Sequence, residues 1–391
     1  MKPKFILIEP CNYIDYPVGG QLSFAKQLVS VYGNKIALVG YGEKDEPIGK
    51  WFKKKIGDEY FDYFAVSRYS SLIIKPIIPA RLTAYLNVNK YKKEILSLGV
   101  DSVFVRSHEI LKIVTKWKFR SVCYFFPGAG IPLQTSRYPW ARMFAAIFDT
   151  WFLSGALKTD VLAAAADADA ILALKNRRLG ILKNKKISFL STRVDTRIFK
   201  KDDKFIIRNE LGLKSDKLIF VTTGRIHYTK GWRFLLQVVV EYKKISNDCL
   251  FVFIGDGGDR KEMETVISKL NIADNVIMTG FLPPTKIAKY IQASDVFLLG
   301  SQKEGWSTSL IEALACYKPI VTTKVSSASS IVNDGVNGFV VEQNNLNGFI
   351  SSIEKALLLK NYDEYVDKEI TKYSIDTLIK SLGEIWPPAK L

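Results

Sequence analysis

Arg225, Lys230, Glu304 and Glu312 are the side chains whose type and spacing could do chemistry in this chain. An apolar run, Leu218 to Val221, stops at Gly224-Arg225, and Lys230-Gly231 follows before a helix-compatible segment. A strand that ends in a glycine loop and opens a helix aims backbone N–H groups and a dipole at an anion. Arg225 and Lys230 add two full charges at the same mouth, which suits a diphosphate. Gly255-Asp256-Gly257 closes the next apolar run, and glycines there would let backbone approach a ligand or simply make a tight turn. Glu304 and Glu312 stand eight residues apart, with Gly305-Trp306-Ser307 as loop and Thr308 to Ala315 as helix between and around them. One carboxylate can meet sugar hydroxyls at the helix mouth, the other hydroxyls about two turns deeper. Leu310, Ile311, Ala313 and Leu314 flank Glu312, a buried setting in which a carboxylate needs a partner.

The elements that must position these residues alternate. In the second half the strands read as Leu218–Val221, Leu250–Ile254, Val276–Met278, Val296–Leu299 and Pro319–Thr322, with helical stretches between. In the first half Phe5–Ile8, Ile36–Val39, Val103–Val105 and Val122–Phe126 read as strands, and Leu22–Val31 as a helix behind Gly19-Gly20. Strand–helix alternation predicts parallel sheets. Residues 43–94 are rich in Lys and Tyr without clear period. Pro139 to Val161, dense in aromatics and alanine, reads as an amphipathic helix at a membrane interface or as a helix packed between domains. Ser191 to Phe199 reads as the linker. The expected division is 1–195, 196–370, and a C-terminal helix over 371–391 that returns to the first domain.

Gly224-Arg225…Lys230-Gly231, Gly255-Asp256-Gly257, Glu304…Glu312-Ala313 and the N-terminal Pro17-Val18-Gly19-Gly20 together resemble the retaining glycosyltransferase family 4, glycosyl transferases group 1. The likeness is close over about residues 215–345 and looser before them. It implies an α/β chain of the GT-B fold, two Rossmann-like domains facing across a cleft. It implies a nucleotide-diphosphate sugar as donor, with Arg225 and Lys230 on the leaving diphosphate. Glu304 and the N–H groups of Gly305, Trp306 and Ser307 would serve the donor sugar, and Glu312 the ribose. Gly19 and Gly20 would face the diphosphate, beside Gly224, Gly255 and Gly257. Such enzymes use the basic pair instead of a metal and need no cofactor. Asp167-Ala168-Asp169, which matches the D-x-D of metal-dependent transferases, opens an apolar segment similar to a first-domain strand of the family. Two departures stand out. Thr192-Arg193 replaces a common Asn-Gly before Val194-Asp195, and Val122–Phe126 ends in Pro127-Gly128-Ala129-Gly130 without the family's histidine. His108 could substitute or be structural. His227, inside the Arg225–Lys230 loop, could orient the loop or touch ligand.

The bulk properties narrow the partners. The 391 residues suit two domains of ordinary size. No apolar run approaches the roughly 18 residues of a spanning helix. The start, MKPKFILIEP, reads as a core strand ended by Glu9-Pro10 and not as a leader. Four scattered cysteines form no metal or redox pair and point to a reducing, cytoplasmic setting. Residues 1–195 hold 30 Lys and Arg against 16 Asp and Glu, while 196–391 hold 26 against 23. An anionic partner should therefore meet the first half: a membrane surface or an acceptor on a polyprenyl diphosphate, as in bacterial surface-polysaccharide assembly. Lys53, Lys54 and Lys55, with Lys90, Lys92 and Lys93, form two runs outside any donor motif. A soluble acceptor is the alternative. So is a nucleotide-sugar epimerase of the same fold, although the chain is poor in the histidines such a cleft uses. No nucleic-acid module is interleaved with the basic residues, and the intact Arg225, Lys230, Glu304 and Glu312 oppose an inactive scaffold.

Overall fold

The structure, a computed structural model, describes residues 2–16, 20–68, 80–126, 131, 133–134 and 139–391. Gly19, in the expected diphosphate loop, and Gly128-Ala129-Gly130 lie outside them. The chain divides into two compact units, Met1–Thr192 with Asp376–Leu391, and Arg193–Ile375.

The first unit is built on strands β1 (Ile6–Ile8), β2 (Ala37–Gly42), β3 (Trp51–Ile56), β4 (Glu59–Arg68), β5 (Ser102–Val105), β6 (Ser121–Phe126), β7 (Val161–Ala164) and β8 (Ile187–Phe189). Their order is β3-β4-β2-β1-β5-β6-β7-β8. All pairs are parallel except the β3–β4 hairpin. The sheet reverses direction of growth at β1, which pairs Ile6 with Ala37 on one side and Val103 on the other. The hairpin falls where the sequence shows no period. Phe61 and Tyr63 are buried on β4, but Lys53-Lys54-Lys55 interrupts the alternation of β3, as charges often do on an edge strand. That run is not free charge: Lys54 is buried against Glu43 (3.2 Å) and Glu46 (2.9 Å), and Lys53 pairs with Asp62 (2.8 Å).

Two further expectations are corrected. Asp167-Ala168-Asp169 does not begin a strand. Asp167 caps helix Ala168–Gly180 by accepting from the Ala170 N–H (2.8 Å), a competition that short acidic side chains win at helix starts. Pro139–Val161 is not one helix: Pro139–Met143 and Ala145–Ala156 are separated at Phe144, and Val161 already belongs to β7. At the far end of the chain, helix Leu378–Ile385 and Trp386 pack within the first unit. The Trp386 ring meets Phe5 edge-on at 5.0 Å, and its Nε1 donates to Ser121 Oγ (2.8 Å).

The second unit is a six-stranded, wholly parallel sheet of β9 (Leu218–Thr223), β10 (Cys249–Ile254), β11 (Val276–Gly280), β12 (Val296–Leu299), β13 (Ile320–Thr323) and β14 (Gly338–Val341), in the order β11-β10-β9-β12-β13-β14. β10, β12 and β13 are buried throughout, the mark of a parallel sheet covered on both faces. One core holds Val221, Leu299 and Leu310; the other holds Phe220, Leu235 and Phe251. Growth of this sheet reverses between β9 and β12, which places their carboxyl ends at a switch point, where open α/β sheets bind ligands.

Candidate functional site

The loops after β9, β10 and β12 meet at that switch point. After Thr223 the chain turns at Gly224 (φ 150°), presents Arg225 to solvent, and reaches helix Trp232–Ile245 through Gly231 (φ 68°). The glycines permit close approach of loop to loop. A Cβ on Gly231 would stand 1.7 Å from the Gly300 carbonyl oxygen, one on Gly255 2.0 Å from that of Gly224, and one on Gly257 2.1 Å from that of Ile226. Backbone hydrogen bonds fasten the same contacts: Ile226 N–H to Asp256 O (3.0 Å) and Gln302 N–H to Thr229 O (2.9 Å). Gly255 and Gly257 thus have a packing role whether or not a ligand meets them.

Within this frame two of the candidate residues touch. Lys230 Nζ donates to both Glu304 oxygens, at 2.6 and 2.7 Å, and Ser301 Oγ donates to Glu304 Oε1 at 2.6 Å. Arg225 makes no ion pair among the described residues. A small hollow is lined by Thr223, Gly224, Arg225, Lys230 and Ser301, with Leu235 and Leu299 among its apolar walls. Ser301 escaped notice in the sequence, although its place just past β12 is the available signal. Its carbonyl accepts from Thr323 Oγ1 (2.6 Å), which ties the β13 end to the same loop.

His227 holds the loop. Its Nδ1 lies 2.9 Å from the Thr229 hydroxyl, with which it shares a hydrogen bond, and 3.4 Å from the Thr229 backbone nitrogen. Glu312 stands in helix Thr308–Ala315, part of the residue reaching the surface while its carboxyl is packed round by protein. Desolvation pushes that carboxyl up to about 8, and it has no hydrogen bond among the described residues. Of the N–H groups expected to meet a sugar, that of Ser307 is already engaged, donating to Ser327 Oγ at 2.9 Å. The Trp306 ring lies 6.1 Å from Tyr373.

His108 belongs to the first unit, where it opens helix His108–Val114. Its ring is boxed by Phe152 (4.7 Å) and Phe126 (5.8 Å), and burial pushes it down to about 4. That enclosure fits the structural alternative. Gly20 is the first residue of helix Gly20–Tyr32. Among the described residues no three His, Cys, Asp or Glu side chains gather to hold a metal ion. Asp256 pairs with Arg260 (3.3 Å), and Asp259 accepts from Trp232 Nε1 (3.0 Å).

Residues 203–373, which fall inside the second unit, match the family described as Glycosyl transferases group 1. A D-inositol 3-phosphate glycosyltransferase of Segniliparus rotundus is 32% identical over 161 residues, which is 40% of this chain and 36% of that protein. An alpha-monoglucosyldiacylglycerol synthase of Acholeplasma laidlawii is 28% identical over 138 residues, 35% of each chain. The chain thus matches about a third of the length of these curated relatives. Among solved structures, sucrose-phosphate synthase from Thermosynechococcus elongatus superposes with a TM-score of 0.79 at 15% identity, over 99% of this chain and 98% of that one. Anabaena HepE in complex with UDP-glucose superposes with a TM-score of 0.67 at 16% identity, over 97% and 98%. At such identities the likeness shows a shared fold, and that fold is GT-B.

Proposed function

We propose that this chain, whose residues 203–373 belong to the glycosyl transferases group 1, is a retaining transferase that moves a sugar from a nucleoside-diphosphate sugar to an acceptor. The observation that carries this reading is the Lys230–Glu304 contact beside an exposed Arg225 at the mouth of β9. A diphosphate leaving group gains negative charge as its bond to the sugar breaks. Lys230, held by Glu304, and Arg225 at the head of the same loop supply the opposing charge, an arrangement typically worth several kcal/mol of barrier. The Lys230 ammonium has three donors, so it can hold Glu304 and still reach a phosphate oxygen. Glu304, steadied by Lys230 and Ser301, accepts from hydroxyls of the donor sugar. Glu312 accepts from the ribose, and those hydrogen bonds would draw its raised pKa down.

In the transfer the bond from the anomeric carbon to the phosphate oxygen breaks. The acceptor oxygen bonds to that carbon, and its proton passes to the leaving phosphate. The two cations do the work a metal would do, so activity should survive EDTA. Complete loss on chelation with recovery on manganese would favour metal chemistry. UDP-sugars are the first donors to try, because a structure of the same fold holds UDP-glucose. The excess of Lys and Arg in residues 1–195 supports an anionic, lipid-linked glycan as acceptor, as in bacterial surface-polysaccharide synthesis, with the protein peripheral on the cytoplasmic face of the membrane. The test is a thermal-shift panel of UDP, GDP and ADP with the corresponding sugars, then donor turnover with lipid-linked and soluble acceptors. A ligand that binds only the folded state raises the melting temperature. No shift with any nucleotide would overturn the donor assignment.

A further inference from the structure

The helices of the first unit leave an unusual surface. From Pro139 to Thr159 the only acidic residue is Asp149, and it is fully buried, paired with Arg177 (3.0 Å) and Arg178 (3.1 Å). Ala141, Ala145, Phe152, Leu153 and Ala156 face inward. The exposed side chains include Trp140 (51% exposed), Met143 (81%), Phe144 (52%) and Ile147 (69%), at three- and four-residue spacing, and Leu157 farther on, with Arg142 and Lys158 as the exposed charges up to Thr159. Helix Ala80–Lys90 has no acidic residue either, and it exposes Leu82 and Leu86 beside Lys90. The Tyr85 ring meets Trp151 edge-on at 6.1 Å, which sets the two helical segments side by side. Single exposed apolar residues are ordinary, but a cluster of this kind marks a surface that something covers.

We infer that this face is where the protein lies on an anionic lipid bilayer. Apolar side chains whose interspersed charges are basic as far as Thr159, where exposed Asp160 closes the stretch, are, with a tryptophan at their head, what the interfacial region accepts. The chemistry is selective in both directions. The surplus of 30 basic over 16 acidic residues in 1–195 is complementary to acidic headgroups. The same surplus would repel a second copy docking face to face, since a two-fold interface sets the patch against itself. No helix among the described residues is long and apolar enough to cross a membrane. The assignment moves docking away from Lys53 and Lys54, whose charges are spent on acidic neighbours. It deepens the lipid-linked acceptor reading, on which it rests, but is measured without donor or acceptor.

The experiment is sedimentation of the full chain with vesicles of equimolar phosphatidylglycerol and phosphatidylcholine, and with phosphatidylcholine alone. The expected result is binding that needs the acidic lipid and weakens in 1 M salt. Met143→Glu/Ile147→Glu should reduce it by roughly tenfold or more, while Leu270→Glu, an exposed apolar position in the second unit, should not. All three changed positions are exposed, and the UDP-induced thermal shift of each variant reports that the fold and the nucleotide site survive. Equal binding by the double variant, or no binding by the unaltered chain, overturns the proposal. So does a dimer, seen by light scattering without lipid, that the double variant separates. A vesicle result of either sign leaves the nucleotide shift untouched, so failure of docking and failure of the sugar-transfer reading show up in different measurements.

Discussion

Both units of this chain reverse the growth of a parallel sheet and so create a crevice position, one beyond β1 and β5, the other beyond β9 and β12. The residues placed there differ. In the second unit β9 and β12 lead into Gly224-Arg225 and Ser301…Glu304, where glycines let three loops close on one another and leave Arg225 in solvent. In the first unit the strands lead into Glu9 and Arg106, both buried, and the Arg106 guanidinium lies over the rings of Phe24 (4.7 Å) and Phe125 (5.0 Å). His108 follows, enclosed by aromatic side chains. Among the described residues the same topology therefore puts an exposed cation at one mouth and buried side chains at the other. A switch point offers a place, and side-chain volume and backbone freedom decide whether a ligand can use it.

The largest effect that could break this contrast concerns the open mouth. Arg225→Ala and Lys230→Ala should each lower sugar transfer by roughly 10²–10³-fold, measured as nucleoside diphosphate release; the melting temperature should be nearly unchanged in Arg225→Ala and lowered in Lys230→Ala, which strips the nearly buried Glu304 of its cation. Near-normal turnover in either would remove the basic pair from the leaving group.

The next effects are on stability and are unit-specific. Trp386→Ala empties a fully buried site against Phe5 and Phe104 and should cost the first unit about 3–5 kcal/mol. Gly231→Ala drives a methyl into the Gly300 carbonyl and should cost the second unit about 3 kcal/mol. Limited proteolysis with fragment mapping would read which unit opens in each case. Equal loss in both units would mean that they unfold as one.

The effect that shows only as a slope sharpens the contrast through pH. Burial takes His108 from its ordinary 6.5 to about 4, so the folded first unit binds fewer protons than the unfolded chain in that window. Stability from His108 is lost as pH falls from 6.5 toward 4, by up to about 3 kcal/mol. Burial takes Glu312 the other way, from 4.5 to about 8, so the folded second unit holds a proton that the unfolded chain releases. Stability from Glu312 is present below 4.5 and lost as pH rises toward 8. Urea unfolding of His108→Gln and Glu312→Gln across pH 4–8 should therefore give differences from the unaltered protein that slope in opposite directions. A flat difference for either residue would show that water reaches it in the folded state.

What the sequence determined by itself was local. Leu218–Val221, Leu250–Ile254 and Val296–Leu299 were legible as strands because a parallel strand covered on both faces must be a continuous apolar run. Arg225, Lys230, Glu304 and Glu312 were legible as residue types at telling spacings, placed by the glycines and apolar runs around them. The hairpin β3–β4 was not, since Lys54 sits inward with acids from another segment, a pairing that no periodicity records. Nor was the short strand β14, or the helix that Asp167 begins. The tertiary structure alone decided that Lys230 lies on Glu304, that Gly231 needs Gly300 beneath it, and that His108 is sealed among Phe126 and Phe152. These pairs are distant in sequence and become neighbours only when the strand order is set. That order is fixed by burial summed over whole sheets and not by the residues that end up touching.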